Sequence, residues 1–321
     1  MPLTASAAHK RYERHRTVEP LAITVLSGGP GREHEVSLAS GQAVSEALRR
    51  LGHQVTVRDI GPDNLSALDL PADFIFIALH GEFGEDGALQ AELDTRAIAY
   101  AGSGAIASRV AMNKVESKRI FERGGIPTPR YEVITAQSLA NLSKRFPLPA
   151  VVKPVSCGSS VDTVIARTPQ ALQAETARLV ELYGETLVER YVGGPELTVG
   201  ILDDRALPVC EIRTKREFYD YQAKYVDDDT QYLFDIPLSP LLLESVQRMS
   251  LDAHRLLGCR VFSRVDWRVD ENCAEPFILE VNTIPGFTSH SLLPKAAAQA
   301  GIPFDQLCQT IVELSLDAMG Q

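Results

Sequence analysis

Short apolar runs alternate with longer stretches of helical apolar spacing in the first third of the chain. The predicted elements are a strand at Leu21–Leu26, a glycine-rich turn at 27–31, a helix from about Val36 to Leu51, and strands at Gln54–Asp59 and Phe74–Leu79. This order is typical of an open β/α sheet, and we predict a domain of that kind at residues 21–102. Ligands of such sheets bind beyond the carboxyl ends of the strands. Glu35 and His80 lie at two of those ends.

Two further regions follow, again with strands and helices. A central domain is predicted at residues 103–193, with helices around Ala105–Phe121, strands at Ala150–Lys153 and Thr186–Arg190, and a helix at about Pro169–Tyr183. A C-terminal domain is predicted at residues 194–321. Within it, the polar, tyrosine-rich stretch at about 213–237 lacks periodicity, and loops of that length are usually lids or disordered. Residues 1–20 are polar and aperiodic, so we expect a disordered tail.

The composition narrows the class of protein. With 321 residues and 45% hydrophobic residues, the chain can bury a large core, and it has neither an apolar run long enough to cross a bilayer nor a recognisable signal peptide. A formal charge of -10 argues against a nucleic-acid surface, but a local basic cluster can still bind small anions. The five cysteines show no metal-binding or paired spacing, so we expect reduced thiols in the cytoplasm.

Four polar residues share one face of a predicted hairpin. Two strand-like runs, Val261–Val269 and a second that begins at Phe277, flank a short polar connection. Residues two apart along a strand point to the same face. The four residues are Arg264, Asp266, Glu280 and Asn282. Hard oxygen ligands suit Mg²⁺, so this face is a candidate magnesium site. A solvated hairpin face is the alternative interpretation, since most charged alternating strands are of that kind.

A second candidate site is the loop that follows the strand ending at Lys153. Gly158, Ser159 and Ser160 would let backbone N–H groups approach an anion, and the lysine would add a charge for phosphate oxygens. An ordinary turn is the alternative, because Gly and Ser favour turns in any case. Neither a Walker-type loop nor a GxGxxG fingerprint occurs in the chain, so a P-loop or Rossmann nucleotide site is not indicated.

The segment Leu187–Tyr191 has the form of a strand edge that passes into a linker. The backbone of such a linker can offer donors and acceptors to an adenine ring. Glu189 and Glu196 could bind ribose hydroxyls, although exposed glutamates are usually only solvated surface. Lys114, at the start of a predicted helix, looks like any surface lysine on its own and becomes a candidate site residue only together with Lys153.

These segments occur in a familiar order. The blocks are GREHEVSLASG (31–41), FIALHGEFGEDGALQ (76–90), YAGSG (100–104), MNK (112–114), VVKP (151–154), GSS (158–160), GPELTV (194–199), FYDYQAKY (218–225) and LEVNTIPGFTSHSLLP (279–294). From Leu26 to the C-terminal helix, the chain closely resembles the D-alanine–D-alanine ligases, which are members of the ATP-grasp superfamily. The resemblance implies a three-domain α/β ATP-grasp fold whose N-terminal domain is the open β/α sheet.

The resemblance also implies an activity. Two D-alanine molecules would be joined to D-alanyl-D-alanine through an acyl phosphate, with ATP consumed, as a step in making peptidoglycan precursors. Two Mg²⁺ ions are expected as cofactors, with Mn²⁺ able to replace them. The expected partners are the small-molecule substrates D-alanine and ATP, with no nucleic acid or membrane, in a cytoplasmic homodimer.

The nucleotide and metal residues follow from the same resemblance. It implies that Asp266, Glu280 and Asn282 hold the magnesium ions and that Lys114 and Lys153 contact phosphates. The other implied ATP-site residues are Ser159, Ser160, Glu189, Tyr191, Glu196 and Lys224.

The amino-acid substrates involve a further set. Arg264 and the backbone N–H of Gly286 are expected to stabilise the oxyanion, and Arg264 with Ser291 to orient the second carboxylate. Glu35 is expected to bind the ammonium of the first D-alanine, with His80 nearby; helix capping is the alternative for Glu35.

A lid is expected at 213–237. Tyr225 would reach from it to Ser159 and Glu35, and a tyrosine at this position favours an amine as the second nucleophile.

Two positions depart from the family pattern. Asp162 stands where the phosphate loop normally has a glycine, and Cys157 stands where an acidic residue is common. A carboxylate beside a triphosphate repels it unless a cation pairs with the carboxylate. If the substitution at Asp162 is not neutral, we therefore expect weaker ATP binding and lower activity. These two positions motivate one alternative function, a degenerate nucleotide-binding homologue. The other alternative is an ATP-grasp ligase of altered amino- or hydroxy-acid specificity.

Overall fold

The computed structural model describes residues 19–216 and 229–320. Most of the predicted tail, together with Lys224 and Tyr225, lies outside these residues. Within them, no helix has both the length and the apolar character needed to cross a membrane.

The strands fall into three sheets. In chain order they are β1 (Ala22–Ser27), β2 (Gln54–Asp59), β3 (Phe74–Ile77), β4 (Tyr131–Thr135), β5 (Ala150–Lys153), β6 (Val164–Ala166), β7 (Glu185–Arg190), β8 (Glu196–Leu202), β9 (Arg205–Ala206), β10 (Cys210–Arg213), β11 (Gln231–Leu233), β12 (Phe262–Val269) and β13 (Pro276–Asn282). The first sheet is parallel, in the order β2-β1-β3. The other two are antiparallel, in the orders β4-β7-β5-β6 and β11-β10-β8-β12-β13, with β9 paired to β8.

The helices cover these sheets. They are α1 (His34–Arg50), α2 (Ala88–Thr95), α3 (Ala105–Met112), α4 (Lys114–Arg123), α5 (Leu142–Arg145), α6 (Pro169–Tyr183), α7 (Pro240–Leu256), α8 (Leu292–Gln299) and α9 (Phe304–Met319), with a short 3-10 helix at Ser66–Asp69. The predicted strands and helices of the first two regions are confirmed within a few residues at each end. The domain boundaries themselves stay a prediction.

The helical stretch predicted at Ala105–Phe121 is two helices, separated at Asn113. Its backbone is extended there, and its side-chain oxygen accepts hydrogen bonds from the N–H groups of Val115 and Glu116. An Asn at the N-cap competes for the backbone in this way and starts a new helix. The break places Lys114 at the first residue of α4.

The stretch predicted as an aperiodic lid also contains regular structure. Its described part includes β11, which pairs antiparallel with β10 through Glu211–Leu233, Ile212–Tyr232 and Arg213–Gln231. Three residues give too short an alternation to stand out in the sequence, and the pairing with β10 supplies the hydrogen bonds that define the strand.

The predicted hairpin at the C-terminal end is confirmed. Strands β12 and β13 pair antiparallel, with Arg264 opposite Asn282 and Asp266 opposite Glu280. The register shifts after Asp266, so that Trp267 pairs with Ile278 and Leu279 is the extra residue of a bulge. The polar face predicted from the spacing of two therefore forms on one side of the sheet.

The C-terminal helices complete the core of the first sheet. Leu293 of α8 and Leu307 of α9 belong to the same buried cluster as Ile23 of β1 and Leu48 of α1. In that cluster the Phe287 ring packs edge-on against the rings of Phe76 and Phe262, with centroids 5.3 and 5.7 Å apart. Phe287 directly follows the loop after β13, so this packing fixes the loop against the first sheet.

Replacing Phe287 with alanine should lower the free energy of unfolding by about 3 to 5 kcal/mol, because the ring is fully buried and the cavity left behind can only partly collapse. Urea unfolding followed by the fluorescence of the single tryptophan, Trp267, measures the change. Leu241→Ala, at a leucine that is 76% exposed, is the matched control and should change stability by less than about 0.5 kcal/mol. Equal effects of the two substitutions would contradict the role given to Phe287.

Candidate active site

Two cavities meet at the polar face of the β12–β13 hairpin. The lysine cavity, of about 830 Å³, is lined by residues that include Lys114, Lys153, Glu189, Tyr191, Glu196 and Glu280. The histidine cavity, of about 540 Å³, is lined by residues that include Glu33, His80, Ser159, Arg264, Gly286 and Ser291. Asp266 lines the first and Asn282 the second.

Asp266 is the centre of the hairpin face. Its Oδ1 accepts hydrogen bonds from Thr198 Oγ1 at 2.7 Å and Arg264 Nε at 2.9 Å. Its Oδ2 accepts from Arg264 Nη2 at 2.8 Å and Asn282 Nδ2 at 3.0 Å. The forked guanidinium suits both carboxylate oxygens at once. Asp266 and Arg264 thus hold each other in place between the two cavities.

The donors on this face have the chemistry that a hard cation requires. Asp266 and Glu280 lie opposite each other, and Asn282 adds an amide to the same side of the sheet. Among residues 19–216 and 229–320, no group of three or more His, Cys, Asp or Glu side chains converges as a metal site. The set contains two carboxylates and an amide, which fits Mg²⁺ because that ion usually takes one or two carboxylates and completes its shell with water and phosphate.

Buried lysines line the other side of the lysine cavity. Lys114 Nζ donates to the backbone oxygen of Cys157 at 2.5 Å and lies 3.7 Å from Glu280 Oε2. Burial lowers the pKa of Lys114, while Glu280 opposes that shift. Lys153 Nζ donates to Glu189 Oε1 at 2.5 Å. A cation that has already lost its water can interact strongly with an incoming anion.

Glu189 lies between two lysines and does not face solvent. Its Oε2 forms an ion pair with Lys118 Nζ at 2.8 Å, and the lysine side chain is fully buried. Burial alone would raise the pKa of Glu189, but Lys118 and Lys153 outweigh burial and lower the pKa to about 2. The same burial lowers the pKa of Lys118. Lys118 was not among the predicted site residues, because a lysine one helical turn after Lys114 is usually exposed on the helix surface.

Glu196 and Tyr191 complete the wall of the lysine cavity. Glu196 accepts a hydrogen bond from Arg268 Nη2 at 2.7 Å, which orients its carboxylate. The ring of Tyr191 lies 5.7 Å from the guanidinium carbon of Arg167, and its backbone N–H donates to Pro149 O at 3.1 Å. The linker after β7 is therefore held against β5, at the edge of the cavity.

The Gly-Ser-Ser loop divides its two serines between the cavities. Ser159 lines the histidine cavity and Ser160 lines the lysine cavity. Both have a left-handed backbone, with φ of 49° and 55°. This conformation is costly for residues other than Gly, Asn or Asp and persists where the surrounding structure determines it.

The carboxylate beside Ser159 is that of Glu33, and the expectation for Glu35 is wrong on this point. Ser159 Oγ donates a short hydrogen bond to Glu33 Oε1. Glu33 is the N-cap residue of α1, whereas Glu35 lies in the first turn and is exposed. Successive helical residues are turned by about 100°, so two residues later the side chain points away from the cavity. The resemblance implied Glu35 for this position, whereas the structure places Glu33 there.

His80 lies next to Glu33 as part of a buried pair. Its Nε2 lies 3.1 Å from Ser40 Oγ, and its Nδ1 lies 3.8 Å from Glu85 Oε1. Burial opposes protonation, but Glu85 and Glu33 outweigh it and raise the pKa of His80. Burial likewise raises the pKa of Glu85. Glu85 was not among the predicted site residues. It lies in the segment after the carboxyl end of β3, which is where ligands of such sheets bind.

Gly286 and Ser291 form the far wall of the histidine cavity. A Cβ added at Gly286 would lie 2.5 Å from Ser291 Oγ, so only glycine fits without moving the serine. Ser291 Oγ accepts from the Thr288 N–H at 3.0 Å. Gly286, Ser291 and Arg264 all line this cavity, while their roles stay a prediction. Lys224 and Tyr225 lie outside the described residues.

Known proteins share this chain's sequence over most of its length. A family model described as D-ala D-ala ligase C-terminus matches residues 120–313. A D-alanine–D-alanine ligase from Gloeobacter violaceus is 46% identical over 310 residues, which cover 92% of this chain and 100% of that protein. One from Granulibacter bethesdensis is 42% identical over 297 residues, or 91% of this chain and 96% of that protein.

Solved structures agree with the sequence comparison. The D-alanine–D-alanine ligase from Bacillus anthracis complexed with ATP has a TM-score of 0.81 and 34% identity, covering 94% of this chain and 99% of that one. The ligase from Coxiella burnetii has a TM-score of 0.83 at 26% identity, covering 94% of this chain and 96% of that one.

Lys118→Met should destabilise the protein by about 3 kcal/mol at pH 7, because it leaves Glu189 with one of its two buried cations. The folded-state pKa of Glu189 is depressed, so its stabilising contribution is present above its ordinary pKa of 4.5 and is lost as pH falls toward about 2. The difference between wild type and variant should therefore shrink below pH 4.5. Urea unfolding at pH 7, 5 and 3 measures it.

Two further variants test the cause of this loss. Lys144→Met, at an exposed lysine, should leave stability within about 0.5 kcal/mol of wild type. Adding Glu189→Gln to Lys118→Met should lower stability further at pH 7, because it leaves the buried Lys153 ammonium without its carboxylate partner. A double variant as stable as the wild type would contradict the explanation.

Proposed function

Because the chain belongs to the D-alanine–D-alanine ligase family, we propose that it joins two D-alanine molecules to D-alanyl-D-alanine, with ATP converted to ADP and phosphate. It has the ATP-grasp fold that the sequence resemblance implied. The observation that carries the proposal is the meeting of the lysine cavity and the histidine cavity at the Arg264–Asp266 pair. A nucleotide in one cavity can then deliver a phosphoryl group to a carboxylate in the other.

The chemistry requires two steps because a carboxylate is a poor electrophile. In the first, an oxygen of the first D-alanine's carboxylate attacks the γ-phosphorus of ATP, the bond to the β-phosphate oxygen breaks, and an acyl phosphate and ADP form. In the second, the amine of the other D-alanine attacks the acyl carbon. The tetrahedral species then collapses, expels phosphate, and the nitrogen loses a proton.

We assign phosphate binding to Lys114 and Lys153. Both are nearly fully buried and line the lysine cavity, so their charges act in a region of low dielectric. Positioning and charge stabilisation account for most of the catalysis of phosphoryl transfer. The ion pair of Lys153 with Glu189 fixes the direction of its ammonium group before ATP binds.

Asp266, Glu280 and Asn282 are proposed to hold Mg²⁺. When bound, the ion neutralises the charge of the transferring phosphate. Arg264 donates to both oxygens of Asp266. Arg264 also lines the histidine cavity, where we assign it, with the backbone N–H of Gly286, to the oxyanion of the tetrahedral species.

The first D-alanine is assigned to Glu33, Ser159 and His80. A carboxylate at the cavity wall suits the substrate's ammonium group, and Ser159 holds that carboxylate in place. Ser291 is assigned to the carboxylate of the second D-alanine, together with Arg264. Tyr225 is proposed to close the site from the lid, which would exclude water from the acyl phosphate.

The wider setting follows from the product. D-alanyl-D-alanine is a building block of peptidoglycan, so we propose a role in cell-wall synthesis, in the cytoplasm and as a homodimer. Altered specificity and a degenerate site are not favoured, since the relatives compared are D-alanine–D-alanine ligases that match nearly the whole chain.

The direct test is the release of phosphate from ATP by purified protein with D-alanine and Mg²⁺, with the dipeptide detected by mass spectrometry. We expect phosphate and dipeptide in equal amounts, with L-alanine and D-lactate as comparison substrates. Phosphate release without dipeptide, or neither product, would overturn the proposed function.

Two glutamates separated by one residue provide a matched pair of variants. Glu33→Gln should lower kcat/KM for D-alanine by about 100-fold, because a neutral amide replaces a charge that pairs with the substrate's ammonium at close range. Glu35→Gln should stay within about twofold, because the Glu35 side chain is exposed. Steady-state assays at varied D-alanine measure both. A larger loss of kcat/KM in Glu35→Gln than in Glu33→Gln would place Glu35 in the site and exclude Glu33.

A further inference from the structure

The two residues that depart from the family pattern meet at a third residue. Cys157 and Asp162 lie at opposite ends of the phosphate loop, and both interact with Tyr183, the last residue of α6. Tyr183 OH donates to Asp162 Oδ2 at 2.6 Å, and the Cys157 thiol is a second neighbour of that hydroxyl. Two residues that depart from the family pattern at separate positions therefore share Tyr183 as a neighbour.

Asp162 is also held by a charge. Arg178 Nη1 donates to Asp162 Oδ1 at 3.1 Å, and Arg178 Nε donates to Glu175 Oε2 at 2.9 Å. Hydrogen bonds from Tyr183 and Arg178 lower the pKa of Asp162, so the group is charged at neutral pH. Both donors belong to α6, which packs against β5, β6 and β7. The loop is thus tied to a rigid helix.

The backbone explains why this substitution is tolerated. Asp162 has φ of +54°, a left-handed conformation that glycine adopts freely and Asp adopts at lower cost than most residues. Glycine here would supply the conformation and leave the loop free. Aspartate supplies the conformation and an anchor, and its carboxylate is neutralised by Arg178.

We propose that Asp162, Arg178 and Tyr183 form a clasp that holds the phosphate loop in the conformation that directs Ser159 toward Glu33 and Ser160 toward the lysine cavity. The three are positioning residues, and the proposal rests on the function proposed above. Their contacts lie on the α6 side of the loop, and neither Asp162 nor Arg178 lines the lysine cavity.

The clasp changes the cost of binding ATP. A free loop must lose conformational entropy when it closes on phosphates. A loop already fixed at Asp162 has lost that entropy during folding, so affinity for ATP is higher while the chemical step is unchanged. The effect of breaking the clasp therefore falls on KM for ATP and much less on kcat.

Hydrogen exchange without substrates tests the clasp directly. The N–H groups of Val161 and Thr163 donate to Gly158 O and Ser160 O within the loop, at 3.1 and 3.2 Å. Tyr183→Phe, which removes only the hydroxyl, and Asp162→Gly, which keeps the backbone conformation accessible, should each speed exchange of the peptide covering 158–163 by about tenfold. Leu182→Ala, at the exposed neighbour of Tyr183 on the same helix, should not change it.

Steady-state kinetics test the consequence. Tyr183→Phe and Asp162→Gly should each raise KM for ATP by about fivefold to tenfold with kcat within about twofold, and the double variant should add nothing further. Unchanged exchange in both single variants would overturn the clasp, whatever the activity of the wild type. Faster exchange with unchanged KM for ATP would overturn its positioning role. Failure of the wild type to ligate D-alanine would instead count against the proposed function.

Discussion

The register of β12 against β13 is the constraint on which the site depends. On one face of this pair, Val265 and Trp267 are fully buried in the core. On the other, Asp266 lies opposite Glu280 and both line the lysine cavity. Because side chains alternate with a period of two, a slip of one residue would exchange the faces and bury the carboxylates. The apolar core therefore enforces the placement of the polar groups.

Buried charge is the second organising feature. Removing lysines from water is unfavourable, and this chain offsets the cost by placing Glu189 between Lys118 and Lys153 and Glu280 near Lys114. The result is a cavity whose four described lysine and arginine side chains are matched by four carboxylates, in a chain whose overall charge is -10. The net charge argues against a nucleic-acid surface, but the local arrangement of charges decides whether the protein can bind a small anion.

Particular residues show how much of the site could be predicted from the sequence. The hairpin face of Arg264, Asp266, Glu280 and Asn282 was predictable, because strand alternation maps spacing directly to direction. The assignment of Glu35 was wrong, because the motif holds two glutamates separated by one residue, and a step of two residues at the start of a helix nearly reverses a side chain's direction.

The sequence by itself determined the strands and helix of the first sheet, the β12–β13 hairpin and the family, because each depends on local spacing or on a run of adjacent residues. Only the tertiary structure revealed the pairing of Lys118 with Glu189, of Glu33 with Ser159, and of Tyr183 with Asp162. These partners lie 71, 126 and 21 positions apart in the chain. They meet only because packing of the sheets and helices brings them together, and no local sequence pattern indicates a contact between residues so far apart in the chain.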